Sequence, residues 1–391
     1  MGYFVPHDKI SNLKYYKYQS EDLSIVSKHL LKPFWLRFCT IFPKWMAPNV
    51  ITLSGLGFIM ANVLITIYYD PNLTEETPRW TYISYALGMF MYQTFDGCDG
   101  IHARQTGQSG PLGELFDHSI DALNTTLSLF LFISASSVGY TNKFLFCQFC
   151  CLLNFYLSTW EEYHTHVLFL SEISGPVEGI LMIASSLFLT GIFGPDIMWH
   201  TALLTFDNNL IHYDLTFLDI FLFSLFVGVI FNVRSSIANV RRYYKDKYVS
   251  NNGTDEATKE ATKGLIPFFA YFASIYLLIL NYTDFVSFPF IISIGLTGAF
   301  MVGRIIVAHL TKQEFPMIHF PMFMPTIQLL LTATFVDILG YDIEPVRFAL
   351  VWLGCGLTLG IHGLFFNEII YEFTSYLDVY ALSIKYPKLK Y

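Results

Sequence analysis

Four aspartates fall within a short stretch that reads Asp96-x2-Asp99-Gly100-x2-Ala103-Arg104-x8-Gly113-x3-Asp117-x3-Asp121. On a helix each residue advances about 100°, so neighbours at i,i+3 or i,i+4 share a face. Asp96 and Asp99 share one such face, and Asp117 and Asp121 another. Two helices offering two carboxylates each make an all-oxygen pocket for hard divalent cations. Two ions of Mg2+ or Mn2+ suit such a pocket, held by carboxylates together with phosphate oxygens. Gly100 and Ala103 let a neighbouring helix, or a diphosphate, come close. Arg104 adds a forked donor that matches phosphate. Solvated charge at helix ends would account for any one of these carboxylates. It does not account for Gly, Ala and Arg at set positions among them.

A proton acceptor lies on the same helix. Glu114, Asp117, His118 and Asp121 fall within an arc of about 100°. Carboxylates bound to cations are poor bases, whereas a neutral imidazole is well matched to proton transfer near neutral pH. His118 is therefore the expected base and Glu114 the carboxylate that orients it. A second ionisable run, Trp160-Glu161-Glu162-Tyr163-His164-Thr165-His166, has three open readings. It is a site for an ammonium headgroup with Glu161 as contact, a metal pair of Glu161 and His164, or a belt of interfacial polar and aromatic residues. Glu178 sits just inside an apolar segment and is a candidate substrate contact. Asn49, after Pro48, reads as a helix cap. Cys147-x2-Cys150 has no matching second pair, so the six cysteines read as packing thiols.

The elements that must carry these residues are membrane helices. Hydrophobic residues make up 53% of the 391, charged residues 14%, and mean hydropathy is +0.45. Soluble domains carry about 25% charged residues. Ten apolar stretches are candidates to span: 50–69, 80–95, 121–139, 144–160, 177–194, 217–233, 265–280, 286–307, 321–338 and 348–370. The expected fold is all-α and polytopic, with about ten transmembrane helices. Residues 20–45 add an interfacial amphipathic helix, in which Leu23, Val26, Leu30 and Leu31 alternate with Lys28 and Lys32 ahead of Phe34-Trp35-Leu36. No opening run resembles a cleaved signal peptide.

Lys and Arg set the orientation. With the N-terminus cytosolic, all but Arg79, Lys143 and Arg347 of the 23 basic residues fall on the cytosolic side. The four aspartates then face the cytosol too. The expected division is a cytosolic segment 1–48, a six-helix catalytic core 49–235, a cytosolic loop 236–263, four further membrane helices 264–375 and a cytosolic tail 376–391. Within the 236–263 segment, Asn251-Asn252-Gly253-Thr254-Asp255-Glu256 reads as an exposed loop.

The aspartate pattern resembles, position for position, the signature of the CDP-alcohol phosphotransferase (phosphatidyltransferase) family. The likeness extends over the whole chain. Gly2-Tyr3-Phe4-Val5-Pro6, Met46-Ala47-Pro48-Asn49, Trp160 to His166 and Tyr380-Ala381-Leu382-Ser383-Ile384-Lys385 are similar to the fungal choline/ethanolamine branch. The resemblance implies transfer of phosphoethanolamine or phosphocholine from CDP-ethanolamine or CDP-choline to diacylglycerol. It implies Asp96 and Asp117 bridging two metals, Asp99 and Asp121 each serving one, Gly100, Gly113 and Arg104 lining the diphosphate, and Asn49 as a nucleotide contact. It also implies a homodimer in the endoplasmic reticulum membrane, with the Golgi as a further location, and no nucleic-acid partner. Two alternative functions stay open: a phosphatidyltransferase using CDP-diacylglycerol, and a cation-coupled transporter. An intramembrane prenyltransferase fits less well, because its two Asp motifs lie far apart in sequence.

Overall fold

The computed structural model describes residues 2–17, 19–22, 24–170, 175–207, 212–248 and 251–387. Ten helices organise the chain: α1 (Pro48–Tyr69), α2 (Arg79–Thr106), α3 (Pro111–Ala135), α4 (Asn142–Thr165), α5 (Pro176–Phe193), α6 (Phe217–Lys247), α7 (Ile266–Asn281), α8 (Phe288–Thr311), α9 (Met324–Thr332) and α10 (Ile343–Leu377). Each contains or overlaps one of the ten stretches expected from hydropathy. Seven segments, those holding α1 and α5 to α10, are long and apolar enough to cross a membrane. The other three, α2 to α4, are 28, 25 and 24 residues long. They carry the acidic and polar residues that lower their hydropathy.

Helix α8 is the axis of the bundle: 89% of its most apolar window is buried. It packs against α3, α4 and α10. The later helices therefore support the acidic ones directly. At the end away from the aspartates, the buried Asp70 ties the α1–α2 turn to α3. Its Oδ2 accepts from Ser134 (2.9 Å) and its Oδ1 from the Thr74 amide (2.9 Å).

Three stretches differ from expectation. Residues 251–262 form a helix, not an exposed loop. It packs against the end of α6, and Arg241 pairs with Asp255 at 2.8 Å. The turn signal of Asn251-Asn252-Gly253 falls in its first turn, and the Ala- and Glu-rich residues after it carry the helix on. The amphipathic segment is shorter than expected. Ser20–Asp22 is a strand, β1, paired in parallel with β2 (Leu168–Leu170). Helical turns then run from Ser27 to Ile41. Leu31, Trp35 and Cys39, at helical spacing, are buried against Cys98 and Ile101 of α2 and Val177 of α5. Leu30, Phe34 and Leu36 stay exposed beside Lys28 and Lys32. Leu23 lies outside the described residues. A hairpin of β3 (Ala202–Asp207) and β4 (His212–Thr216), anticipated by nothing in the sequence pattern, joins α5 to α6.

The N-terminal segment docks on the bundle. The Phe4 and Val5 amides donate to Glu368 Oε1 of α10 (2.6 and 3.3 Å). Asn12 Nδ2 donates to the Thr311 carbonyl at the end of α8 (2.7 Å). This docking brings Tyr16 over α3.

Candidate active site

Two glycines flank the reversal that builds the site. Gly107 ends α2 in the left-handed region (φ 72°), where a side chain would be strained. The Gln108 amide closes the turn on the Ala103 carbonyl at 2.8 Å. Gly110 is extended, and Pro111 opens α3 at a position where no helical N–H is needed. Four residues thus turn the chain back, and the last turns of α2 lie beside the first turns of α3.

Asp96, Asp99 and Asp117 converge there, each with one carboxylate oxygen within 4.8 Å of the others. Neutral donors hold the set. Thr52 of α1 donates to Asp99 Oδ2 (2.5 Å), and Gln93 Nε2 to Asp96 Oδ2 (3.3 Å). Tyr92 donates its hydroxyl to Asp121 Oδ1, and Asp121 lies within electrostatic range of Asp96. Asp117 Oδ1 is buried with no partner. Crowded carboxylates, Asp99 buried and the others half-buried, with an orphaned oxygen are costly unless a cation joins them. The residues present therefore fit a divalent ion.

The small residues face open space. A Cβ at Gly113 would meet nothing within 4 Å, and one at Gly100 only Arg104 Nη1, at 3.4 Å. Helix packing does not require either glycine. Gly97, one turn before, is the opposite case: a Cβ there would overlap the Trp35 ring. Arg104 is exposed at the rim of a cavity of about 900 Å3, walled by Glu21, Lys32, Leu36, Gln105 and Val167.

The remaining expected residues are placed as follows. His118 is half-buried on α3, and among the described residues no hydrogen bond reaches it. The expected Glu114–His118 bond is not made. The Glu114 carboxylate accepts from Tyr16 Oη at 2.5 Å instead, and it faces Glu162 and His309. Helical spacing puts Glu114 and His118 on one face but leaves each side chain free to choose its rotamer. Asn49 is not the helix cap. Ala47 holds that position, and Asn49 Nδ2 donates to the Ala381 carbonyl (2.9 Å), tying α1 to the C-terminal segment. Glu161 accepts from Asn239 of α6 (2.7 Å), and His164 Nδ1 pairs with Tyr244 Oη (3.0 Å). Each is thus drawn to a partner on α6. Glu178 accepts from the Ser24 hydroxyl, and its other oxygen is buried without a partner. Thr52, Tyr92, Tyr16 and His309 were not among the residues that spacing pointed to as site residues, and Glu162 lay in the ionisable run at 160–166 without a role of its own.

Fold and site together define a multi-pass, helical membrane protein with a half-buried polyacidic centre at the ends of its helices. Residues 45–206 match the family described as CDP-alcohol phosphatidyltransferase. Over 391 residues the chain is 59% identical to choline/ethanolaminephosphotransferase 1 of Saccharomyces cerevisiae, covering 100% of both chains. It is 53% identical to cholinephosphotransferase 1 of the same organism, covering 99% of this chain and 100% of that one. Choline/ethanolaminephosphotransferase 2 of Arabidopsis thaliana is 34% identical over 406 residues, with 98% and 99% covered. The chain belongs to the CDP-alcohol phosphatidyltransferase family.

Proposed function

We propose that the protein transfers phosphoethanolamine or phosphocholine from CDP-ethanolamine or CDP-choline to diacylglycerol and releases CMP. The convergence of Asp96, Asp99 and Asp117 around an unpartnered oxygen, with Arg104 of the same helix as Asp96 and Asp99 at the rim of a cavity, carries this reading. Full-length relatives named for these headgroups support it. The four aspartates would hold two Mg2+ or Mn2+ ions, which when bound neutralise the donor diphosphate and orient it for in-line displacement.

The chain's own residues do the rest. Gly100 and Gly113 leave backbone bare where the diphosphate must lie, and Arg104 forks onto its oxygens. Asn49 and Glu178 are the further substrate contacts. Glu161, held by Asn239, is a further substrate contact on α4. His118 takes the proton of the diacylglycerol hydroxyl as that oxygen bonds to the distal phosphorus and the bond to CMP breaks. Glu114 is a positioning residue: held by Tyr16, it fixes the turn of α3 that carries His118. We place the enzyme in the endoplasmic reticulum membrane and the Golgi, as a homodimer with its site facing the cytosol.

Purified protein with diacylglycerol, Mg2+ and each CDP-alcohol, with CMP measured, tests the reading. CMP release with both donors is expected. Cation flux without CMP release would favour a transporter, and use of CDP-diacylglycerol with a soluble alcohol would favour the other branch of the family.

A further inference from the structure

A second set of metal-binding groups lies off the aspartate cluster and shares no residue with it. Glu114 of α3, Glu162 of α4 and His309 of α8 each offer a ligand atom within 4.8 Å of the other two. Three helices contribute one residue each. Glu162 is 5% exposed, and among the described residues its carboxylate makes no hydrogen bond. His309 Nδ1 is buried with no partner. Only Glu114 has a donor, Tyr16. The three groups therefore point at one another without bonding one another. Among the described residues the Glu162 carboxylate and His309 Nδ1 thus have no hydrogen-bond partner, and Glu114 has only the Tyr16 hydroxyl.

A cation resolves this. Ligand atoms sharing one ion lie up to about 4.2 Å apart when each bond is about 2.1 Å. The set here is within 4.8 Å, so small rotations of the two Glu side chains close it. An imidazole beside two carboxylates suits Zn2+ or Mn2+ better than Mg2+, which favours all-oxygen sites. Three protein ligands leave further positions open to water. The ion would tie α3, α4 and α8 together one turn before Asp117. Through Tyr16 it would also tie in the N-terminal segment.

We propose that Glu114, Glu162 and His309 bind one divalent transition-metal ion, of the Zn2+ class, separate from the ions at the aspartates. The proposal goes beyond the phosphotransferase reading and does not depend on it.

The test uses the full chain in detergent, in wild-type form and as Asp96→Asn/Asp117→Asn, which removes ligands of the other site. Each is loaded with Zn2+, passed through a sizing column in Mg2+-rich buffer, and analysed for zinc per chain. One zinc per chain is expected in both. Glu162→Gln and His309→Gln on the double-variant background should weaken binding at least about tenfold, and Zn2+ should raise the Tm of the double variant but not theirs. Equal zinc in the double variant and in Glu162→Gln means an adventitious ion only and overturns the proposal. So does a folded double variant that holds no zinc. If His309→Gln does not yield folded protein, Glu162→Gln, which keeps the side chain's shape, decides alone.

Discussion

The two acidic clusters of this protein differ in how they are assembled. Asp96, Asp99, Asp117 and Asp121 sit on consecutive helices joined by a four-residue reversal, and neutral hydroxyl and amide donors brace three of them. Glu114, Glu162 and His309 come from three helices that meet only when the bundle closes around α8, and one phenol braces the set. The first cluster adjoins bare backbone at Gly100 and Gly113, and Arg104 on the same helix as Asp96 and Asp99 rims a cavity. The second is enclosed by side chains: the His309 ring has Tyr163 and His166 within 6.5 and 5.3 Å. A site that exchanges substrate needs open space on one side. A site that holds three helices together does not.

The largest effect that would sharpen this contrast is loss of the first cluster. Asp96→Ala and Asp117→Ala should each bring CMP release to background while the protein stays folded in the membrane. Retained Mg2+-dependent turnover in the Asp96→Ala/Asp117→Ala double variant would remove the aspartates from the chemistry. Next comes the boundary between the clusters. His118→Ala should lower kcat on the order of 10²-fold with binding of the CDP-alcohol kept, and Glu114→Ala should lower it less. Equal losses would mean that Glu114 acts on the reacting atoms rather than through His118. Normal turnover of His118→Ala would move the base to Asp121.

How much of this was readable beforehand follows from the same contrast. The aspartate motif is legible because a helix repeats every three to four residues, and its pairs are local. The ten helices are legible because membrane length imposes apolar runs. Glu162 and His309 lie 48 and 195 residues beyond Glu114, so only tertiary packing brings the three together. Tyr16 reaches Glu114 because Glu368 and Thr311 anchor the chain before it, and no spacing rule encodes that. The helix at Asn251–Thr262 was hidden by turn residues at its start, and the β1–β2 pair by its three-residue length.

A smaller effect tests the brace on the second cluster. Tyr16→Phe leaves the buried Glu114 carboxylate without its donor, which costs about 1–3 kcal/mol of stability. Thermal unfolding would show it as a lowered Tm, and the same change in a Glu114→Gln background should cost less. An unchanged Tm in both backgrounds would mean that the N-terminal segment docks without help from this bond.

The smallest effect compares two glycines on either side of the reversal. Gly97 lies against Trp35, so Gly97→Ala overpacks the contact between α2 and the amphipathic segment. A cost of about 1–3 kcal/mol is expected, relieved when Trp35 is replaced by Leu. Gly113 faces open space, so Gly113→Ala meets no neighbour in the folded protein. Near the start of a helix it should leave stability unchanged or raise it by up to about 1 kcal/mol, because alanine loses less backbone freedom. If that space is where the diphosphate lies, the added methyl group intrudes on the donor alone. The expected signature is an unfolding transition at or above wild type together with a severalfold rise in KM for the CDP-alcohol and none for diacylglycerol. Unchanged KM values for both substrates would show that the open face of α3 is not the diphosphate seat, and the donor would then have to lie along Arg104 and the cavity beside it.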